Sequence, residues 1–133
     1  VHAYGEPSKF NLLVTQAQTT TSSGSRSDSS TPATHVQLAL GEPLRGSLSQ
    51  QEAVYYSVRV GPAFSNGTLP DIIIDVTPVS GGDPDLYVTT GDTFPERLAC
   101  SSDNACWASE EAGNDVVSIS PSDAHYCTDC KYL

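Results

Sequence analysis

Methionine is absent from this 133-residue chain, tryptophan occurs once, and lysine plus arginine total only six against sixteen aspartates and glutamates. The shortage of cations is the informative one. Binding a phosphate backbone needs clustered Lys and Arg that displace counterions. Six scattered basic residues and a formal charge of −10 do not supply such a patch, so no nucleic-acid partner is expected. Long apolar runs are also missing. A run such as Ile72-Ile73-Ile74 falls far short of the roughly 20 residues of a membrane helix and reads as part of a buried strand. No membrane insertion is expected.

Catalytic signatures are equally scarce. No serine sits in a Gly-x-Ser-x-Gly elbow, and no glycine loop is shaped to cradle phosphate. His2, His35 and His125 stand in no catalytic motif, and Glu110-Glu111 reads as a solvated pair in a polar turn. The expectation is a protein that is not an enzyme. The first residue is not Met and no signal peptide is visible, so the chain is read as a processed piece or a fragment of something longer.

What is present is alternation with a period of two. Phe10, Leu12 and Val14 share one face of residues 9–16, and Val36, Leu38 and Leu40 alternate in the same way. Between them the composition changes: residues 19–34 (TTTSSGSRSDSSTPAT) contain no large apolar side chain and cannot bury enough surface to offset their ordering entropy. They form a linker, either bare or an O-glycosylated spacer. The candidate acceptors are Thr19, Thr20, Thr21, Ser22, Ser23 and Thr31.

Further strands are predicted at 44–48, at 54–60 with Val54, Tyr56, Val58 and Val60 on one face, and at 71–77 (DIIIDVT) as a central strand. Pro78 and Ser80-Gly81-Gly82 end that one, and another follows at 84–90 with Leu86 and Val88 inward. A loop carries the first cysteines, then strands come at 115–120 and from 130. No amphipathic helix is predicted. The fold expected is an all-β, antiparallel β-sandwich of jelly-roll or immunoglobulin-like topology without substantial helix. Residues 1–18 supply a separate strand, 19–35 a linker, and 36–133 the sandwich.

Four cysteines, Cys100, Cys106, Cys127 and Cys130, are an even set. A zinc site would pair Cys127-x-x-Cys130 with Cys100/Cys106, but the second gap is wide for zinc ligands. A redox role for Cys127-x-x-Cys130 would need a strand-to-helix context that is not predicted. Two disulfides are favoured, with three connectivities open. Proximity in sequence prefers Cys100–Cys106 with Cys127–Cys130. Asn66-Gly67-Thr68 is an N-glycosylation sequon in a Gly/Pro-flanked loop. Cysteine usage and glycosylation signals together point to an extracellular or cell-surface setting.

No motif requires a cofactor. Calcium at Asp83 and Asp85, with Asp92 in the next loop and Asn114/Asp115 further on, is the one metal candidate, because calcium takes several hard oxygen ligands. The competing reading has these aspartates capping a turn or accepting backbone hydrogen bonds. Tyr55 and Tyr87, on predicted outward faces, are candidates for an aromatic platform that stacks on sugar; cross-strand packing is the competing role.

The run Ser80-Gly81-Gly82-Asp83-Pro84-Asp85-Leu86-Tyr87-Val88 resembles the signature of bacterial pre-peptidase C-terminal domains, a Gly-Asp-x-Asp-Leu-Tyr-Val segment after an apolar strand. Gly46-Ser47-Leu48 with Tyr55-Tyr56-Ser57-Val58, then Ser101-Ser102-Asp103, then Asp115-Val116-Val117-Ser118-Ile119, follow in the family's order. The resemblance covers about residues 36–133 and implies a β-sandwich. The cysteines and the loop around Asn66 depart from the bacterial pattern and suggest a divergent branch in eukaryotic surface proteins.

The family's closing strands, a Tyr-x-Val strand, a Gly turn and a Phe-x-Leu-x-Val-like strand, are not found after Lys131-Tyr132-Leu133. Segment 3–14 (AYGEPSKFNLLV) looks like them. Two readings stay open. Residues 1–18 are the terminal strand of a preceding repeat in a tandem array, or they complete the same sandwich, in this molecule or in a neighbour, by strand addition. The function expected is a structural repeat of an extracellular surface or filament glycoprotein. Its partners are neighbouring copies or other extracellular proteins, met through edges, linkers and covalently attached glycans. The alternative is a module that targets a secreted hydrolase to polysaccharide or fibrous protein, since the bacterial relatives occur beside proteases.

Overall fold

Alternating burial shapes the elements. In Asp115–Ile119 the first, third and fifth side chains are buried and the second and fourth exposed, and in Ile72–Val76 the buried positions are Ile72, Ile74 and Val76. The computed structural model describes residues 1–16, 36–61, 63, 67–91, 100 and 105–133. Its elements are all strands: β1 (His2–Gln16), β2 (Val36–Leu38), β3 (Leu44–Leu48), β4 (Tyr56–Arg59), β5 (Ile72–Thr89), β6 (Cys106–Ser109), β7 (Asp115–Ile119) and β8 (Lys131–Tyr132). Among the described residues there is no helix.

Two sheets face each other across an apolar core. The larger runs β3-β1-β5-β6, with β7 paired to the first half of β5; the smaller runs β2-β4-β8. Phe10, Leu12 and Val14 of β1, Ile72, Ile74 and Val76 of β5, and Val117 and Ile119 of β7 meet Val58, Val60 and Tyr132 from the other side. The expected all-β sandwich is the observed class. One pair, β2 with β4, runs parallel, with Val36 opposite Tyr56 and Leu38 opposite Val58. Between those two strands the chain crosses to β3 in the opposite sheet, and that detour returns it in its original direction.

β1 lies inside the larger sheet. It pairs with β3 from Ser8 to Leu12 and with β5 from His2 to Gln16, antiparallel on both sides. Its first residues also bond the chain between β3 and β4: Ala3 N–H donates to the Glu52 carbonyl (3.2 Å) and Gln51 N–H to the Ala3 carbonyl (2.9 Å).

Two strands were expected across 71–90, separated by a turn at Pro78 and Ser80-Gly81-Gly82. The structure has one bent strand of 18 residues, because β1 follows it through the bend with register shifts between Tyr4 and Ser8 and at Lys9/Phe10. Gly81 (φ +89°) makes this close approach feasible: a Cβ there would lie 2.0 Å from the Pro7 carbonyl oxygen.

β8 joins the sheets at one end. Thr89 and Leu133 exchange a pair of 2.9 Å backbone bonds, and Gly91 N–H donates to the Lys131 carbonyl. Since β6 occupies the other side of β5 at Leu86–Thr89, β8 meets β5 on the side where β1 pairs lower down.

Candidate functional site

The sharpest motif, 80–88, occupies the bend and second half of β5, bordered by β1 on one side and by β6 and the turn after it on the other. β6 was expected to be loop. Its pairing with β5, Leu86 to Ser109 and Thr89 to Cys106, comes from this tertiary neighbour.

Asp83 of the motif and Asp115 of β7 serve the turn between β6 and β7. Asp83 Oδ1 accepts from the Gly113 N–H at 2.9 Å. Asp115 is fully buried, and its Oδ1 accepts from Ser109 Oγ (2.6 Å) and from the Glu111 N–H (3.0 Å). Its Oδ2 is buried with no hydrogen-bond partner among the described residues. Burial pushes the Asp115 carboxyl above the usual carboxylate range. The two hydrogen bonds oppose that rise, and the charges of Asp83 and Glu111 add to it.

Asp85 is 8 % exposed. Among the described residues, no group of three or more His, Cys, Asp and Glu side chains could hold a metal ion. Asp92 lies outside the described residues.

Tyr87 corrects an expectation. It is 6 % exposed rather than outward-facing, and its hydroxyl donates to Glu110 Oε1. The β6–β7 turn covers the strand face that alternation alone assigns to solvent. Tyr55 is half-buried and, with Tyr56, Tyr87, Val1 and Leu133, borders an apolar cavity of about 40 Å³ between the sheets. The two tyrosines therefore do not form an exposed platform.

Both cysteine pairs are disulfide-bonded, Cys100 to Cys106 and Cys127 to Cys130, with Cα atoms 5.0 and 6.0 Å apart. The Tyr132 hydroxyl clasps the second loop, accepting from the Cys127 N–H (3.0 Å) and donating to the Cys127 carbonyl (3.2 Å). The Trp107 ring packs at 6.0 Å on that of Tyr132, while its Nε1–H donates to Asp123 Oδ2 at 3.0 Å. The His125 backbone N–H, with that bond adding to it, holds the Asp123 carboxyl below its ordinary range. The hydroxyl of Tyr126 donates to the Pro70 carbonyl at 2.6 Å. These contacts make the cysteine-rich end a hydrogen-bonded buttress around the sheet junction.

Asn66 and the linker positions Thr19, Thr20, Thr21, Ser22, Ser23 and Thr31 lie outside the described residues. Among the residues described, no helix is long and apolar enough to cross a membrane. Comparison with protein-family models, with curated proteins and with solved structures returned no match.

Proposed function

We propose that this chain is a non-catalytic structural module of an extracellular glycoprotein, joined to neighbouring copies through strand edges, its linker and attached glycans. One observation carries this reading: the interior is filled and stapled. The cavity between the sheets, about 40 Å³ and lined mostly by aliphatic and aromatic side chains, has room for a few water molecules. A ligand pocket is typically several hundred Å³ with convergent polar groups. Asp83 of the motif and Asp115 of β7 accept hydrogen bonds from the module's own backbone. The disulfides are compatible with an oxidising extracellular environment.

The resemblance to pre-peptidase C-terminal domains supports a β-sandwich repeat of this kind. Its targeting alternative has lost one of its two aromatic candidates, because Tyr87 is buried.

The test is the chain made by a secretory host. Intact mass before and after deglycosylation and reduction reports sugars and disulfides together, and light scattering reports association. Sugar-bearing, self-associating protein supports the reading. A monomer that binds a polysaccharide or collagen column tightly replaces it with the targeting role.

A further inference from the structure

The two disulfides stand in different surroundings. Cys106 is 6 % exposed and lies in β6 opposite Thr89, so the Cys100–Cys106 bond has one end inside the sandwich. Cys127 and Cys130 are both half-buried, and the two residues between them, Thr128 and Asp129, are exposed. The Asp129 side chain, 3.9 Å from Arg59, is itself 71 % exposed.

A disulfide opens when a thiolate attacks one sulfur and the other departs as a thiolate. At Cys100–Cys106 both directions are obstructed. Attack on Cys106 has to enter a buried strand, and attack on Cys100 expels a thiolate at that buried position, where desolvation disfavours charge. At Cys127–Cys130 neither departure leaves an ion in the core. Backbone strain does not distinguish the loops, since each holds a residue at positive φ, Asp129 at 55° and Ala105 at 51°.

The chain around Cys127 and Cys130 is also held by bonds that do not involve sulfur. The Tyr132 hydroxyl bridges the N–H and carbonyl of Cys127, and the Val60 N–H donates to the Cys130 carbonyl at 2.9 Å. Gly91 N–H reaches the Lys131 carbonyl at 3.1 Å, and the Tyr126 hydroxyl reaches the Pro70 carbonyl. These contacts keep both cysteine backbones in place once the sulfur bond is gone, and closing so short a loop again loses little entropy.

We propose that Cys127–Cys130 is a thiol-exchange site, opened reversibly by dithiols while the sandwich stays folded and Cys100–Cys106 stays closed. One thiolate of the dithiol bonds to one sulfur of the pair, the Cys127–Cys130 bond breaks, and the other sulfur leaves as a thiolate and takes up a proton. The second thiol, deprotonated, attacks the mixed disulfide, forms the cyclic oxidised dithiol and releases the remaining cysteine thiolate, which is protonated in turn. The protein gains two electrons and two protons, and the dithiol loses them. A protein that catalyses exchange lowers its own thiol pKa, often at a helix N-terminus. The described residues contain no helix, and a disulfide that is attacked rather than attacking needs none. The site is independent of whether the module assembles.

The test uses the oxidised full-length chain under native conditions. It is incubated with dithiothreitol, alkylated with iodoacetamide at intervals and mapped by peptide mass spectrometry, while amide hydrogen exchange reports the fold. Cys127 and Cys130 are expected to be alkylated together, at least about tenfold faster than Cys100 and Cys106, and oxidised glutathione closes the pair again. The amides of β1 and β5 keep their protection throughout. Opening of Cys100–Cys106 first or at an equal rate overturns the proposal, as does opening of neither bond before β1 and β5 lose protection. The variant C127S/C130S is expected to fold and to take up no label under the same conditions. Its failure to fold also overturns the proposal, because the sulfur bond is then required for the sandwich.

Discussion

Phe10 and Gly46 form a pair whose coupling has a definite sign. They are opposite each other in the β1–β3 ladder, and the Phe10 ring lies over the glycine. A Cβ at position 46 would sit 2.4 Å from Phe10 Cζ and 2.8 Å from the Tyr56 hydroxyl. Phe10 is 1 % exposed and meets Tyr56 edge-to-face at 6.4 Å, so its ring has little freedom to retreat. Gly46→Ala alone is therefore an overpacking change expected to cost about 1–3 kcal/mol. Phe10→Ala alone removes a buried ring and is expected to cost about 3–5 kcal/mol.

In the Phe10→Ala background the obstructing ring is gone, and the Tyr56 hydroxyl, the far end of a side chain that ring no longer braces, can swing away from the added methyl. The added methyl enters vacated space, and replacing a strand glycine is then worth about 0.5–1 kcal/mol of stability. The double variant is expected to be more stable than Phe10→Ala, giving a coupling of about 2–3 kcal/mol. Urea unfolding followed by Trp107 fluorescence measures all four proteins, provided the denaturant slope stays constant. Equal cost of Gly46→Ala in both backgrounds, within about 0.5 kcal/mol, would refute the placement of β1 against β3.

Replacing either cysteine pair by serine opens a short loop, and the chain-entropy relation gives a loss of roughly 2 kcal/mol for each; a loss under about 0.5 kcal/mol in denaturant titration contradicts it. Tyr132→Phe removes the hydroxyl clasp on Cys127 and is expected to cost about 1 kcal/mol, while Trp107 fluorescence, reporting the ring packed on position 132, stays near native. Asp115 gives a pH dependence. Its folded-state carboxyl titrates above the ordinary value of 3.8, so the folded state binds more protons just above that value, and this group's contribution falls as pH rises through the window. Asp115→Asn is expected to flatten that part of the profile relative to the unsubstituted chain, and identical slopes for the two proteins would contradict the assignment.

Much of the candidate site's chemistry could be read locally. Asp83 accepting a backbone N–H was one of two roles weighed for it, and its partner, Gly113, is 30 residues away. The burial of Asp115 carried a signal that was available: it shares the alternation phase of Val117 and Ile119, which are inward. Tyr87 was misjudged because alternation distinguishes two faces of a strand but does not reveal that a turn from β6 to β7 will cover the second one.

The sequence by itself determined what is local: strands rather than helices, from period-two alternation, and a formal charge of −10. Proximity of the cysteines in sequence also favoured, among three open connectivities, the pairing that the structure shows. Tertiary structure decided the rest. It merged 72–89 into one strand, made β2 and β4 parallel, recruited 106–109 as a strand, and set β1 between β3 and β5. The reason is that a strand's periodicity records which side chains face inward, whereas its hydrogen-bonding neighbours are set by register and shape matches between segments far apart in the chain. The ring of Phe10 over Gly46 and the approach of Pro7 to Gly81 are two such matches.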